Sequence, residues 1–345
     1  MKRRGNLWQK IVDSANIKAA HIAARRGKGF YSEVKMVNEN MDEMLEQIRL
    51  SLVNKTFTTS RYEVEERFDG RKMRTIHKLP YYPDRIVQHA LIQVVGPIWR
   101  AGFIRDTFQS IPGRGTNDAR RRVTKAILKD KPKYALKIDI KKYYPSVNNE
   151  LLKVIVRRKI KCKDTLWLID NIIDSTEGLP IGNYTSQDLG NLYLSDFDWS
   201  IKHQGVKHYY RYCDDIVVML DSKEKLHNIK IDIVNRLEIL GLSVKPNWQI
   251  FKIQSQGLDF VGYVFRTSHI LLRKGIATKF KRKALKIARY WKVMSETKIV
   301  NGIMAYWGWI KPVNAKNLWR SAVTINILRI MDMMPLKRNP ARYTT

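Results

Sequence analysis

The sequence predicts an α+β fold built around a ferredoxin-like layer, and a polyanionic partner; three observations carry these two predictions. Apolar, strand-like runs occur at Tyr134 to Ile140, Tyr209 to Leu220 and Gly257 to Phe265. Helical patterns accompany them, at about Asn149 to Ile160, Thr185 to Lys202 and Ser222 to Leu240. The resulting order is strand, helix, strand pair, helix, strand. The third observation is charge. Lys and Arg number 64 against 32 Asp and Glu, a formal net charge of +32. Such self-repulsion opposes a compact state unless a polyanion is close, and nucleic acid is the obvious candidate.

The elements follow in chain order. Ala19 to Ala24 and Met41 to Leu52 show apolar residues at i, i+3 and i+4, so they are predicted helices. The basic, glycine-containing stretch Arg25-Arg26-Gly27-Lys28-Gly29 lies between them. Tyr62 to Phe68 and Met73 to Leu79 read as strands around Asp69-Gly70, a hairpin signal. A helix from about Asp84 to Ile98 follows Pro83. Near the C-terminus, Lys279 to Trp291 reads as a basic helix. From Arg266 to Thr345 there are 18 Lys or Arg against two acids, Glu296 and Asp332, with Tyr290, Trp291, Tyr306, Trp307 and Trp309 interleaved. One-sided charge with aromatic rings suits a surface that grips nucleic acid.

Composition excludes several classes. No run of 18 or more apolar residues occurs, so no spanning helix and no membrane partner are predicted. The N-terminus, Met1-Lys2-Arg3-Arg4-Gly5, has no apolar stretch after its charges and is no signal peptide. Cys162 and Cys213 are the only cysteines, without ligand spacing, which argues against a disulfide framework or a zinc site. The expectation is a basic cytoplasmic protein.

The chemistry is carried by carboxylates. Arg211-Tyr212-Cys213-Asp214-Asp215-Ile216-Val217 places two adjacent acids inside an apolar run. Unpaired, buried carboxylates would cost several kcal/mol. They suit a tight turn or a cation site, and taken alone a plain Asp-Asp turn accounts for them. Asp139, ending Ala135-Leu136-Lys137-Ile138-Asp139-Ile140, alone suits a strand end or helix cap. If the two strands lie side by side, all three carboxylates reach one place. That is a hard-oxygen set for two Mg²⁺ ions and for metal-assisted phosphoryl transfer on nucleic acid.

On these residues the chain resembles the reverse transcriptases, RNA-directed DNA polymerases, across nearly its whole length. Tyr212-Cys213-Asp214-Asp215 resembles the family's Y-x-D-D box, and Asp139 to Tyr144 resembles its first catalytic motif. The resemblance implies catalytic Asp139, Asp214 and Asp215, with metal contacts at Asp139, Ile140, Asp214 and Asp215. The cofactor would be two Mg²⁺ ions, with Mn²⁺ as a substitute. Tyr144 would be a steric gate against the ribonucleotide 2′-hydroxyl, although Tyr143 beside it suits the same job. The segment Gly178 to Gln187 is similar to the motif that packs on the incoming nucleotide, implicating Ile181, Gly182 and Gln187. Lys72, Arg74 and Arg85 lie in segments similar to the fingers motifs and are unranked candidates for the triphosphate or the template. Leu258 to Tyr263 resembles the primer-grip hairpin, with Gly262 and Tyr263. Tyr306 to Trp309 resembles a thumb motif of small bacterial enzymes. Tyr212, Lys281, Arg282, Lys283 and Trp307 complete the primer and template candidates.

The resemblance implies a right-hand polymerase with fingers, ferredoxin-like palm and a short helical thumb. Fingers are expected at 1–130, palm at 131–265 with a fingers-like insertion at about 149–178, and a basic thumb at 266–345. No nuclease domain is expected after the thumb.

Ile181-Gly182-x-x-x-Ser186-Gln187 is similar to the form found in reverse transcriptases of diversity-generating retroelements. That subtype implies errors opposite template adenine, because an apolar side chain at 181 cannot donate the hydrogen bond a Gln offers. Arg74 is associated with the same effect, and Ile181 merely packing the loop is the competing account. The implied partners are a structured template RNA, cDNA, dNTPs and a small basic accessory protein. The chain departs from the family pattern at Trp248, where a Lys is frequent, with Lys245 nearby but off register. Two alternatives stay open: a defence-associated (antiviral) or retron-type enzyme using a noncoding RNA, and a non-catalytic RNA-binding scaffold.

Overall fold

A computed structural model describes residues 3–69 and 72–323. The chain begins with α1 (Trp8–Ile11), α2 (Ser14–Ala24), α3 (Ser32–Glu39) and α4 (Met41–Val53). The Asp13 carboxylate accepts from the Ala15 and Asn16 N–H groups, which defines the start of α2. Strands β1 (Glu63–Asp69) and β2 (Lys72–Lys78) pair antiparallel with Asp69 opposite Lys72. The predicted hairpin is therefore present, while Gly70 of its turn lies outside the described residues. Then come α5 (Ile86–Arg100), α6 (Thr116–Lys125), β3 (Tyr134–Asp139), α7 (Asn149–Arg157) and α8 (Lys163–Ile173). Next are α9 (Ser186–Tyr193), α10 (Ser195–His203), β4 (His208–Tyr212), β5 (Asp215–Leu220) and α11 (Lys223–Ile239). The chain continues with β6 (Gln249–Lys252), α12 (Ile253–Gln256), β7 (Leu258–Phe260), β8 (Tyr263–Phe265) and β9 (Ile270–Leu272). Helices α13 (Lys274–Tyr290), α14 (Glu296–Ile310) and α15 (Lys316–Ala322) end the described chain. Among the described residues no helix is long and apolar enough to cross a membrane.

The chain divides into two compact units. The first comprises 1–115, 137–218 and 227–248. Here α5 is buried on most of its circumference, from Ile86 through Ile92, and α2 lies along it. The Asn16 amide fastens the two, donating to the Ala90 carbonyl at 3.1 Å. Strands β4, β5 and β3 are neighbours in that order. Ile216, Val217 and Val218 are all fully buried. A strand covered on both faces reads as a continuous apolar run, which is why the sequence displays it so clearly.

The second unit comprises 116–136, 219–226 and 249–345. In it β6 runs beside β3, with the Ile253 N–H bonded to the Lys133 carbonyl at 3.0 Å. Strands β7, β8 and β9 form a separate three-stranded sheet. This corrects the expectation that Gly257 to Phe265 supplies the last strand of the central layer. That strand is β6, four residues with no buried side chain. Burial is what makes a strand's pattern legible, and β6 lacks it. Two further boundaries differ. The expected helix from Thr185 to Lys202 is two helices meeting at Leu194, and the basic helix starts at Lys274, five residues before the expected position.

Helices α13 and α14 pack through Phe280, Ile287, Ile299 and Ile303, all fully buried, with the Phe280 ring stacked on Trp319 at 5.9 Å. The β7–β8 turn has positive φ at both Val261 (44°) and Gly262 (87°), the pairing that matches strand twist in a two-residue hairpin. A Cβ at Gly262 would sit 2.5 Å from Trp309 Cζ3. Substituting Gly262→Ala is therefore expected to cost about 2–4 kcal/mol through overpacking and backbone strain. Denaturant unfolding measures this, and a loss below about 1 kcal/mol would contradict the packing described.

Candidate active site

The site lies in the first unit and rests on a charge pair inside it. Arg211, on β4, and Asp198, on α10, are both completely buried. The Arg211 guanidinium donates to both Asp198 oxygens, Nε at 2.8 Å and 3.0 Å and a terminal nitrogen at 2.7 Å. Its other terminal nitrogen donates to Asn191 Oδ1 at 3.3 Å and to the Cys213 carbonyl at 3.1 Å. Asp198 also accepts from the Tyr209 hydroxyl at 2.5 Å and the Thr107 hydroxyl at 3.0 Å. Every charge is met by several donors or acceptors, which is what makes burial of the pair tolerable.

The Cys213 carbonyl belongs to the turn that joins β4 to β5, where Cys213 takes φ of 57°. A non-glycine residue pays strain in that region and persists there only when its surroundings hold it. Arg211 is such a hold. Burial pushes the Cys213 thiol up to about 12, with the neighbouring Asp214 adding to the effect, so it remains a neutral packing group.

The turn sets Asp214 against the end of β3. The Ile140 N–H donates to the Asp214 carbonyl at 3.0 Å, which joins the two carboxylate-bearing segments directly. Burial raises the Asp214 pKa, and the Asp139 charge raises it further. Two hard carboxylates in mutual repulsion, one of them largely desolvated, are a donor set that suits a divalent cation. The Lys245 ammonium forms an ion pair with Asp139, and the Lys245 backbone N–H donates to the Asp139 carbonyl at 2.9 Å. Asp215 lies 3.6 Å from Lys137 Nζ. Strands β3 and β5 are neighbours, the condition on which the expected convergence of the three carboxylates rests. Among the described residues no three His, Cys, Asp or Glu side chains gather closely enough to hold a metal ion, and Asp139 and Asp215 each face a lysine of their own.

The structure separates two tyrosines that the sequence left equivalent. Tyr143 is buried and donates to the Gly190 carbonyl at 2.5 Å, a packing role. Tyr144 is half-buried and lies within electrostatic reach of Cys213 and Asp214; burial raises its pKa well above the ordinary range. Gly190 makes room for it, because a Cβ there would be 3.1 Å from the Tyr144 ring. The loop from Gly178 closes on the same place. The Leu179 N–H donates to the Tyr144 carbonyl at 2.9 Å, and a Cβ at Gly178 would meet the Pro145 carbonyl oxygen at 2.6 Å.

Farther along this loop, the Ile181 carbonyl accepts from the His77 N–H of β2 at 2.8 Å. A side chain at Gly182 would collide with the His77 carbonyl oxygen, so glycine is required for this approach. Gln88 of α5 accepts from the Tyr184 N–H at 2.8 Å, and the Tyr184 ring stacks on His89 at 3.6 Å. Burial lowers the His89 pKa to about 4, with Arg85 and Lys28 contributing, which leaves a neutral ring to stack at pH 7. Behind the loop, Arg100 forms two bonds to Asp188, at 2.7 Å and 2.6 Å.

The remaining candidates fall as follows. Arg74 is exposed on β2, paired in register with Arg67, while Lys72 opens the strand and its side chain is outside the described residues. Arg85 is half-buried just before α5, Gln187 is exposed at the first turn of α9, and Ile181 and Tyr212 are half-buried. Gly262, Tyr263, Lys281, Arg282, Lys283 and Trp307 belong to the second unit. Lys281, Arg282 and Lys283 are exposed on α13, and Trp307 packs edge-on against Trp319 at 4.7 Å. Tyr263 corrects an expectation, since its side chain is 1% exposed and packs on Trp309 at 5.5 Å. That ring supports the hairpin and is not presented to a primer. Sequence reading missed Arg211, Asp198, Gln88 and the Arg100–Asp188 pair. The available signal was an arginine inside the otherwise apolar run His208 to Tyr212, which demands a buried acid elsewhere.

The family model described as Reverse transcriptase (RNA-dependent DNA polymerase) matches residues 68–265. Protein YkfC of Escherichia coli (strain K12) is 30% identical over 135 residues, which is 35% of this chain and 35% of that protein. The chain thus matches about a third of the length of that curated relative. Similar solved structures include a telomerase from Candida tropicalis with a fragment of telomeric RNA, at 12% identity and a TM-score of 0.49, covering 83% of this chain and 60% of that one. A telomerase from Candida albicans with the corresponding fragment has 9% identity and a TM-score of 0.45, covering 81% and 60%.

Replacing Asp198→Asn removes the only full negative charge that faces Arg211 in this network among the described residues. The expected loss is about 3–5 kcal/mol, because the guanidinium stays buried without its counter-charge. Urea unfolding of the variant beside the wild type measures it. A change under about 1 kcal/mol would show that the pair is not the support described here.

Proposed function

The chain belongs to the reverse transcriptase family, and from that premise we propose that it makes cDNA from a dedicated template RNA. The observation that carries the reading is the Asp139–Asp214 juxtaposition, with Tyr144 beside it and the Arg211-held turn beneath. Fingers are assigned to 1–130, palm to 131–265 and thumb to 266–345.

Asp139 and Asp214 would hold divalent cations, Mg²⁺ or Mn²⁺, with Ile140 and Asp215 adjoining. When bound, two such ions supply Lewis acidity to the attacking 3′-hydroxyl and to the leaving pyrophosphate. The chain's own groups do the rest. The Ile140–Asp214 backbone bond keeps the two carboxylate-bearing segments in register before substrate arrives. Tyr144, fixed by Gly190 and Leu179, occupies space that a 2′-hydroxyl would require. The bare backbone at Gly182 and the exposed Gln187 face an incoming nucleotide, and Arg74 and Arg85 supply positive charge for its phosphates or for the template. Exposed Lys281, Arg282 and Lys283 give α13 a cationic surface for nucleic-acid phosphates.

We further infer a diversity-generating subtype, with a small basic accessory protein as partner. Its support is the combination of Ile181, Gln187 and Arg74. The Ile181 backbone is anchored to β2 while its side chain offers no hydrogen bond, so geometric selection of the nucleotide is looser at this position.

Primer extension on an RNA template tests the reading. Asp214→Asn is expected to lower magnesium-dependent synthesis by about a thousandfold or more. Tyr144→Ala should admit ribonucleotides, whereas Tyr144→Phe should not. Synthesis by Asp214→Asn at the wild-type rate would refute the site, and no synthesis by wild type with its cognate RNA would leave an RNA-binding scaffold.

Sequencing the products tests the subtype. Errors should concentrate opposite adenine, and Ile181→Gln should reduce them about fivefold, the size of one net hydrogen bond. An even error spectrum would favour the defence or retron alternative.

A further inference from the structure

The basic stretch from Arg25 to Gly29 has no part in the chemistry above. It forms the connection between α2 and α3 in the first unit and runs directly into two aromatic residues. Two turn bonds shape it, from the Lys28 N–H to the Arg25 carbonyl at 2.9 Å and from the Tyr31 N–H to the Lys28 carbonyl at 3.0 Å. Beyond them Phe30 and Tyr31 stand in solvent, 72% and 52% exposed. Their rings stack on each other, with centroids 4.6 Å apart and planes 25° from parallel. Two large rings left outside the core forgo the hydrophobic gain of burial. A mutual stack in the open is also a flat surface that a further planar ring can extend.

The surroundings are cationic. Arg26 is exposed, and Lys28 and Arg25 are half-buried, with Arg25 held by Asn38 at 2.6 Å. Lys28 and Arg85 are within electrostatic reach of each other, and Tyr31 is within reach of both Arg67 and Arg85. Arg67 is already bonded to Glu65 at 2.9 Å. Arg85 Nε, by contrast, is buried with no hydrogen-bond partner among the described residues. At Gly27 and Gly29 a Cβ would meet nothing within 4 Å, so the backbone between the cations is open to approach.

A ligand that matches flat apolar rings beside several cations carries planar groups joined by anions. We propose that Phe30 and Tyr31 form a stacking platform for an unpaired nucleotide of single-stranded RNA, with Arg26, Lys28 and Arg85 meeting its flanking phosphates. This rests on the polymerase reading for the choice of RNA, but binding can be measured without catalysis. The nucleotide belongs either to the template strand ahead of the duplex or to an unpaired loop elsewhere in the same RNA.

Fluorescence anisotropy with the full chain separates these. Three probes are needed: a blunt RNA–DNA duplex, the same duplex with about ten unpaired RNA nucleotides, and an RNA hairpin with a loop of about that size. The Phe30→Ala/Tyr31→Ala variant should bind an unpaired probe about 5- to 100-fold more weakly, at unchanged affinity for the blunt duplex and unchanged Tm. Tyr31→Phe should keep wild-type affinity, because it keeps the stack. Loss on the extended duplex assigns the nucleotide to the template, and loss on the hairpin alone assigns it to a loop; both support the platform. Equal binding of both unpaired probes by variant and wild type would overturn it, as would an equal loss on the blunt duplex. Primer extension by wild type on the extended duplex is run alongside. Its absence both there and on the cognate RNA would sink the polymerase reading while leaving the binding result intact.

Discussion

The site depends on one buried ion pair, Arg211 with Asp198. Its guanidinium spans Asp198 of α10, Asn191 of α9 and the Cys213 carbonyl. The Arg211 backbone adds two more ties, donating to the Asp106 carbonyl at 2.9 Å and accepting from the Phe108 N–H at 3.1 Å. Helices, strand, turn and the 106–108 segment are therefore located by one residue. Replacing such a pair with apolar residues can be neutral for stability, whereas breaking it is not. What the pair contributes here is position. It holds Cys213 in a backbone conformation that aims the following carboxylate at Asp139.

Close backbone approach does the remaining positioning. Gly178, Gly182 and Gly190 each admit a neighbour that a side chain would displace: the Pro145 carbonyl, the His77 carbonyl and the Tyr144 ring. The loop after Gly178 is thereby pressed against both Tyr144 and β2. Gln88 and the His89–Tyr184 stack fasten its far side. Lys245 adds an electrostatic element, since its ammonium neutralises Asp139 from the segment after α11.

Much of this was legible in the sequence, and the reasons are physical. β5 announces itself because both faces are covered, β3 because Ala135, Leu136 and Ile138 are buried along it, and Asp139 and Asp214 stand out because acids interrupt apolar runs. The hairpin of β1 and β2, and α2, α4 and α7, follow from periodicity and turn residues. What was not legible depends on partners distant in the chain. Nothing local marks Asp198 as the mate of Arg211, or Lys245 as the mate of Asp139, and Tyr143 and Tyr144 diverge only once Gly190 is beside them. β6 is not legible because it is short and buries no side chain, while the more apolar 257–265 segment has the pattern expected of the last strand.

The most direct test of the account is Mn²⁺ binding followed by electron paramagnetic resonance, in the presence of primer–template and a non-hydrolysable dNTP analogue. The Asp139–Asp214 reading predicts tight Mn²⁺ binding by the wild type that is lost in Asp139→Asn and Asp214→Asn. Equal Mn²⁺ binding by the wild type and both variants would contradict the assignment of these two carboxylates as the metal-holding centre.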